Sequence, residues 1–90
     1  MGYEWLSNAL DALRDIRPHE VAQVLGAPRR WPVPGYADGV KLLSIWGRTG
    51  EGRGLIVILH HAGGLDWEIV GAARMDEEQE ARFREWEATQ

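Results

Sequence analysis

The sequence predicts a single α+β domain over residues 1–90, in which two N-terminal helices precede a three-stranded antiparallel meander and a C-terminal helix packs on the sheet. Three observations support this fold class. Apolar residues repeat at helical spacing near the N-terminus, three apolar runs separated by glycine-rich turns follow, and a charged segment with a helix-start pattern comes last. The predicted order of elements is α-α-β-β-β-α.

Two short helices are predicted before the sheet. The first covers residues 7–16, where Ser7 or Asn8 provides an N-cap and apolar residues recur every three or four positions. The second covers residues 18–25 and begins with a proline, which is well tolerated in the first turn of a helix. The residues before the first helix, 3–6, are either a short strand or an aromatic lead-in.

The segment 27–39 is predicted to be an irregular connection, because its prolines lack an N–H donor and its glycines carry a high backbone entropy. It places Arg29 and Arg30 beside Trp31. One interpretation is a patch that contacts an RNA phosphate or base, and Lys41 at the start of the next strand joins these RNA-binding candidates. The other is that Trp31 covers the core while the arginines are solvated.

The meander is predicted from strands over residues 40–48, 54–61 and 66–73. The first is mostly apolar on both faces with an exposed end at Lys41, and Glu68 indicates that one side of the third begins in solvent. The middle strand is apolar at successive positions, which is typical of a central strand covered on both faces. Tight turns between the runs favour antiparallel pairing.

The C-terminal helix is predicted over residues 76–88. Asp76 and Gln79 have the spacing of a capping box, and acidic residues follow in the first turn, where the helix dipole favours them. Phe83 and Trp86 form a narrow apolar stripe, so the helix is expected to lie against the sheet by that stripe alone.

Charge and composition limit the classes of function. The net charge is −4, and residues 76–90 hold six of the 14 acidic residues but two of the 10 basic ones, so the rest of the chain is neutral. A neutral body with an acidic helix is not typical of a bulk nucleic-acid binder. The lack of cysteine excludes disulfides and thiolate metal sites, and no apolar run approaches the roughly 20 residues of a membrane span. We therefore expect a cytoplasmic protein without a membrane partner.

Residue chemistry predicts neither a metal site nor a cofactor site. His60 and His61 are adjacent on a strand, so their side chains point to opposite faces and do not converge on one ion. Ser44 lies within a strand and has no nucleophile-elbow motif around it. The glycine-rich stretch 50–54 lacks a phosphate-binding fingerprint and leads into a strand, which indicates a hairpin turn.

Arginines at the strand ends are the main functional candidates. Arg48 ends the first strand of the meander, Arg53 opens the second and Arg74 ends the third, so all three are expected at one edge of the sheet. A guanidinium is always protonated and binds phosphate through paired hydrogen bonds. Three that converge could hold a phosphodiester and stabilise the charge that develops at phosphorus.

A general acid or base for this chemistry would be His60, His61, Glu51 or no residue at all. We include His61 in the predicted catalytic set with the three arginines. The alternative interpretation is structural, with the guanidiniums paired to Glu51, Asp76 and the acidic helix in a solvated rim. Spacing alone favours this structural interpretation.

The segment 47–53, GRTGEGR, followed by an apolar strand and then by residues 70–76, VGAARMD, resembles the core of BrnT-type toxins. These toxins belong to bacterial type II toxin–antitoxin pairs and share a RelE-like ribonuclease fold. The resemblance covers residues 40–86. It implies metal-independent cleavage of mRNA, neutralisation by an antitoxin encoded beside the toxin, and catalytic roles for Arg48, Arg53 and Arg74.

The chain departs from the family pattern at three places. Ala73 stands where the family usually has a further arginine, Gln79 and Phe83 stand where a glutamate and a tyrosine are expected, and the last helix is acidic. These changes remove phosphate affinity or an acid/base group, so a degenerate toxin is one form of the hypothesis. The alternative is a non-catalytic interaction module that binds a protein through its five tryptophans. The expected partners are a cognate antitoxin and RNA, with a homodimer as a further alternative.

Overall fold

The computed structural model describes residues 2–63 and 66–90, and in this part of the chain it has three helices and five strands. In chain order these are β1 (Gly2–Trp5), α1 (Ala9–Ala12), α2 (Pro18–Leu25), β2 (Trp31–Ala37), β3 (Val40–Arg48), β4 (Gly54–Gly63), β5 (Asp66–Arg74) and α3 (Glu77–Ala88). The strands form one sheet in the order β1-β5-β4-β3-β2. The predicted α+β class is confirmed, whereas the sheet is larger and more mixed than the predicted meander.

The predicted meander of β3, β4 and β5 forms the centre of this sheet through antiparallel pairing. The turn between β3 and β4 is closed by two backbone hydrogen bonds, with Thr49 N–H donating to the Arg53 carbonyl and Gly52 N–H donating to the Thr49 carbonyl, each at 2.9 Å. Gly52 has a φ of 90°, a left-handed conformation that glycine adopts without a Cβ clash. The glycine-rich stretch is therefore a hairpin turn, as predicted.

The prediction of an irregular connection over residues 27–39 is wrong, because most of it is strand β2, paired antiparallel with β3. Strand β2 lies at the edge of the sheet and bonds to one neighbour only. An edge strand tolerates proline where the missing N–H would face outward, and Pro32 and Pro34 are two positions apart, as this requires. Asp38 and Gly39 follow with φ values of 52° and 79°, which are suited to a tight hairpin.

The first predicted helix is shorter than expected, and a strand precedes it. Residues 2–5 are strand β1, which runs parallel to β5. Helix α1 covers only part of the predicted residues 7–16, because Asn8 before it is left-handed with a φ of 72° and Leu13 after it is extended. Asp15 is also left-handed, with a φ of 59°. Asparagine and aspartate tolerate this region better than most residues. The bend at Asp15 precedes Ile16, which is buried in the core.

Two separate apolar layers hold the sheet between helices. On one side, which we call the α2 face, Val21, Val24 and Leu25 of α2 pack on alternate residues of β4, Leu55, Val57 and Leu59. On the other side, which we call the α3 face, Phe83 of α3 packs on Trp46 and Ile56. Strand β4 is thus covered on both sides, as its continuous apolar sequence predicts.

Helix α3 agrees closely with its prediction. The Asp76 carboxylate accepts from Gln79 N–H at 2.8 Å and the Gln79 side chain accepts from Asp76 N–H at 2.9 Å, which completes the capping box. Phe83 is fully buried and Trp86 is half-buried, so the predicted stripe faces the sheet. No helix in the described part of the chain has the length and apolar character needed to cross a membrane.

Candidate functional site

The hairpin between β3 and β4 brings the backbones of Arg48 and Arg53 together, but their side chains leave it in opposite directions. Arg48 shares the α3 face with Trp46, two residues before it in the same strand. Its guanidinium bonds to two carboxylates of α3, with Nη1 at 2.8 Å from Glu80 Oε1 and Nη2 at 2.9 Å from Glu87 Oε1. A third bond joins Nε to Glu87 Oε2 at 3.0 Å.

The Arg48 guanidinium also lies over the Phe83 ring, 5.2 Å from its centroid, which adds a cation–π contact. Hydrogen bonds from Glu87, and then from Glu80, raise the pKa of Arg48 above its usual value although partial burial opposes this. The side chain is therefore a permanent cation, and each of its three nitrogens already donates to a carboxylate.

Arg53 reaches the α2 side of the sheet. Its Nη1 lies 2.7 Å from Glu20 Oε2, and its Nη2 donates to the Asp15 carbonyl at 2.7 Å. Glu20 is a buried residue of α2 and also accepts from Arg17 N–H at 2.9 Å. The pKa of Glu20 is lowered, first by this backbone hydrogen bond and then by the nearby Arg53 charge, against an opposing effect of burial.

Arg74 ends β5 opposite Leu55, at the same end of the sheet as the hairpin. It is exposed and forms no ion pair with any residue that the structure describes. The three arginines thus share one end of the sheet, but the expected convergence of their guanidiniums is wrong. Arg48 lies on the α3 face and Arg53 on the α2 face, and each pairs with a carboxylate from the helix on its own face.

The remaining residues of the GRTGEGR hairpin also have structural contacts. Gly50 N–H donates to the Gln23 side-chain carbonyl at 3.0 Å, which ties the turn to α2. A Cβ at Gly47 would lie 3.0 Å from Val24 Cγ1, so the glycine permits close approach of α2. A Cβ at Gly54 would lie 2.5 Å from Glu80 Oε1 on the α3 side. The segment 47–54 therefore joins both helical layers to the sheet, and we call it the hairpin clasp.

The predicted RNA-contact residues are separated. Trp31 stacks on Trp86, with ring centroids 5.8 Å apart and planes at 8°, and is tilted against Trp46 at 5.2 Å. The interpretation that Trp31 covers the core agrees with this packing. Arg30 donates to the Leu25 carbonyl at the end of α2, and Arg29 is exposed.

Lys41 lies at the opposite end of the β2–β3 hairpin from Trp31. The register pairs Lys41 with Tyr36 and Trp31 with Trp46. At about 3.4 Å per residue, the two positions are separated by roughly 17 Å along the strands. Lys41 therefore does not share a patch with Arg29 and Arg30.

The histidines lie at the far end of β4 from the hairpin clasp. His61 is exposed and contacts Trp67 edge-on, with ring centroids 5.1 Å apart. Its separation from Gly54 along β4 is roughly 23 Å at strand spacing, so it does not meet Arg48 or Arg53. His60 Nδ1 lies 3.4 Å from Glu68 Oε1 on the neighbouring strand. No cluster of metal-binding side chains occurs among the described residues.

Sequence reasoning missed an apolar cavity of about 400 Å³ between α2 and the β1–β5 pair. Its walls include Tyr3 and Trp5 of β1, Ala22 of α2 and Ile69 of β5. The signal was present in residues 2–5, where aromatic side chains alternate with Gly2 and Glu4. That pattern predicts a strand with one apolar face. From the sequence alone, the choice between a short strand and an irregular aromatic segment was left undecided, so the cavity was not predicted.

Comparisons with known protein families and with curated proteins found no similar sequence. No model of a known protein family matches this chain, and no curated protein matches it. The resemblance to BrnT-type toxins therefore depends on the residues of the hairpin and of β5 alone.

Proposed function

We propose that this protein is a BrnT-like, catalytically degenerate component of a toxin–antitoxin pair, which acts in the cytoplasm by binding a partner protein. The main support for the proposal is the direction and the ion pairing of the two hairpin arginines. Arg48 and Arg53 point to opposite faces, and each is held by carboxylates of the same chain. A single phosphodiester cannot be gripped by both guanidiniums in this arrangement.

Competition between carboxylates and phosphate also argues against RNA cleavage by these arginines. An RNA phosphate at Arg48 would have to displace Glu80 and Glu87. These carboxylates belong to the same folded chain, so their effective concentration at Arg48 is high. The displaced carboxylates would then repel the phosphate. With a net charge of −4, the protein offers no compensating long-range attraction.

Partner binding is supported by apolar surface that the folded chain leaves open. Leu6, directly after β1, and Leu10 of α1 are 39% and 45% exposed. Trp31 and Trp86 are half-buried, so part of their stacked rings is accessible. Tryptophan is enriched at interface hot spots, so the Trp31–Trp86 pair is the stronger of these two observations.

The test combines a binding assay with an activity assay. The protein is co-expressed with the product of each reading frame that adjoins its own gene, and the mixture is analysed by size-exclusion chromatography with light scattering. We expect a stable complex, and we expect the purified protein alone to leave mRNA intact. Absence of a complex would contradict the proposal.

A ribonuclease toxin is the second candidate, and the exposure of Arg74 at the clasp end of the sheet favours it. Since Arg74 forms no ion pair in the described part of the chain, Arg74→Ala is expected to leave the fold intact. Growth arrest on induction and mRNA cleavage in vitro, both abolished by Arg74→Ala, would replace the first proposal by this one.

A further inference from the structure

The two edges of the sheet differ in whether they can accept another strand. At one edge, Pro32 and Pro34 remove two N–H donors from β2. At the other edge, β1 pairs with β5 on one side and has no strand on its other side within the described chain. Strand β1 contains no proline, so its outer backbone groups remain able to pair.

The hydrogen bond after β1 shows which backbone groups face outward. Leu6 N–H donates to the Ile69 carbonyl at 3.0 Å, so Leu6 directs its backbone toward β5. Backbone direction alternates along a strand, which leaves the N–H and C=O groups of Tyr3 and Trp5 directed to the free edge. An added strand would find two donors and two acceptors there.

The side chains of the same two residues line the apolar cavity. Tyr3 and Trp5 are in register with Trp67 and Ile69 on the α2 face, and with Val21, Ala22 and Leu25 of α2 they surround about 400 Å³. A strand added to β1 would place every second side chain on this face, at the mouth of the cavity. Those side chains would be apolar.

The opposite face of the same edge is acidic. Glu4 pairs in register with Glu68, so two carboxylates are side by side on the α3 face, and Asp66 lies next in the row opposite Gly2. Glu68 has His60 at 3.4 Å on its other side, whereas Glu4 has no ion pair within the described residues. Like charges directly opposite each other are unfavourable, and a neighbouring cation would relieve them.

We infer that the free edge of β1 binds an extended segment of a partner protein in which apolar and basic residues alternate. The apolar side chains enter the cavity beside Tyr3 and Trp5, and the basic side chains lie next to Glu4 and Glu68. The added strand pairs with the outward backbone groups of β1, which is the general mode of strand addition to a sheet edge. This inference rests on the proposed function, because it takes the ligand of the β1 edge to be a protein.

The test uses a short synthetic peptide of alternating leucine and lysine, labelled with fluorescein and titrated with the whole protein by fluorescence anisotropy. We expect binding, no binding of a leucine–glutamate peptide, and loss of binding when alternate amides of the lysine peptide are N-methylated. Equal binding of the acidic or the N-methylated peptide would overturn the inference.

Two pairs of variants locate the site. Glu4→Lys should weaken binding roughly tenfold by replacing attraction with repulsion, whereas Glu51→Lys, the same change in the exposed turn of the hairpin clasp, should not. Ala22→Trp should fill the cavity and block binding, whereas Ala81→Trp on the exposed side of α3 should not. Equal effects of the two members of either pair would show non-specific attraction and overturn the inference.

Hydrogen exchange separates this inference from the proposed function. In the complex with the product of the neighbouring reading frame, we expect protection of the Tyr3 and Trp5 amides. Protection elsewhere on the surface, with none in β1, overturns the strand-edge site but leaves a protein partner. If the peptide binds at β1 while that product does not bind, the strand-edge site stands and the proposed partner fails.

Discussion

The hairpin clasp lies at one end of the central strands β3 and β4, whereas β1 is an outer strand of the same sheet. The two regions differ in how many of their polar groups are hydrogen-bonded or ion-paired within the chain. In the clasp, both arginines are paired with carboxylates and the glycines are in close contact with helices. At the β1 edge, the outer backbone groups and Glu4 lack partners in the described chain. The two arginines that the sequence suggests as catalytic candidates, Arg48 and Arg53, thus form ion pairs that stabilise the fold.

The two regions also differ in how readily they can bind a ligand. A charged group that is already hydrogen-bonded must break those bonds before it can bind a ligand, whereas an unpaired strand edge is available at once. The motif that carries the family resemblance is therefore a weak indicator of catalysis here. The less conspicuous residues 2–6 are the better indicator of binding.

The largest contrast between the two regions is expected from apolar truncation. Phe83→Ala removes a fully buried ring beneath the Arg48 guanidinium, and we expect a loss of about 3–5 kcal/mol in the free energy of unfolding. Leu10→Ala in α1, where the side chain is 45% exposed, should change it by no more than about 0.5 kcal/mol. Urea unfolding monitored by circular dichroism measures both values, and equal losses would contradict the comparison.

Removal of a clasp arginine should have the next largest effect. Arg48→Ala leaves Glu80 and Glu87 close together without a cation, and we expect a cost of about 1–3 kcal/mol. Arg74→Ala is the matched control and should cost less than about 0.5 kcal/mol. If urea unfolding shows Arg48→Ala to be as stable as the wild type, the ion pairs do not hold α3.

The clasp should also make stability depend on pH. Because the folded state lowers the pKa of Glu20 below the usual value of 4.5, its stabilising effect is complete above that value and is lost as the pH falls through the folded-state pKa. We expect Glu20→Gln to lower the melting temperature at neutral pH and to converge with the wild type in acid. Glu51→Gln in the exposed turn serves as the control. Parallel pH profiles of the wild type and Glu20→Gln would contradict this prediction.

The smallest effect is expected at the open edge, and its sign is opposite. Glu4→Lys replaces the unfavourable Glu4–Glu68 neighbourhood by an attractive one, so we expect a gain of about 0.2–1 kcal/mol in the free energy of unfolding. The same variant is expected to weaken binding of the leucine–lysine peptide. Denaturant unfolding of Glu4→Lys beside Glu51→Lys tests the stability part, and a loss of stability would show that Glu4 has a supporting role in the fold.

Local pattern was sufficient for the elements whose neighbours are close in the chain. The central strands, the clasp turn and the Asp76 cap depend on hydrophobic periodicity and on turn and capping residues, so they could be predicted. The edge position of a strand is a property of the whole sheet. For this reason the prolines of β2 could not be distinguished from those of an irregular connection.

The arginines illustrate the limit more sharply. Strand order placed Arg48, Arg53 and Arg74 at one end of the sheet, and that part of the prediction needed only the antiparallel topology. The face on which each side chain lies follows from strand alternation, but the carboxylates that it meets depend on which helix covers that face. That is decided by packing between residues far apart in the chain.

The amino-acid sequence alone was enough to predict the α+β class, a central strand apolar on both sides, a capped acidic helix and a tight glycine-rich turn, because these depend on interactions between near neighbours. Only the folded molecule decided that Glu20 and Glu80 take the clasp arginines on opposite faces, and that β1 closes against β5 and leaves its outer edge unpaired. Long-range packing brings charges and strand edges together, and composition and spacing contain no record of which ones meet.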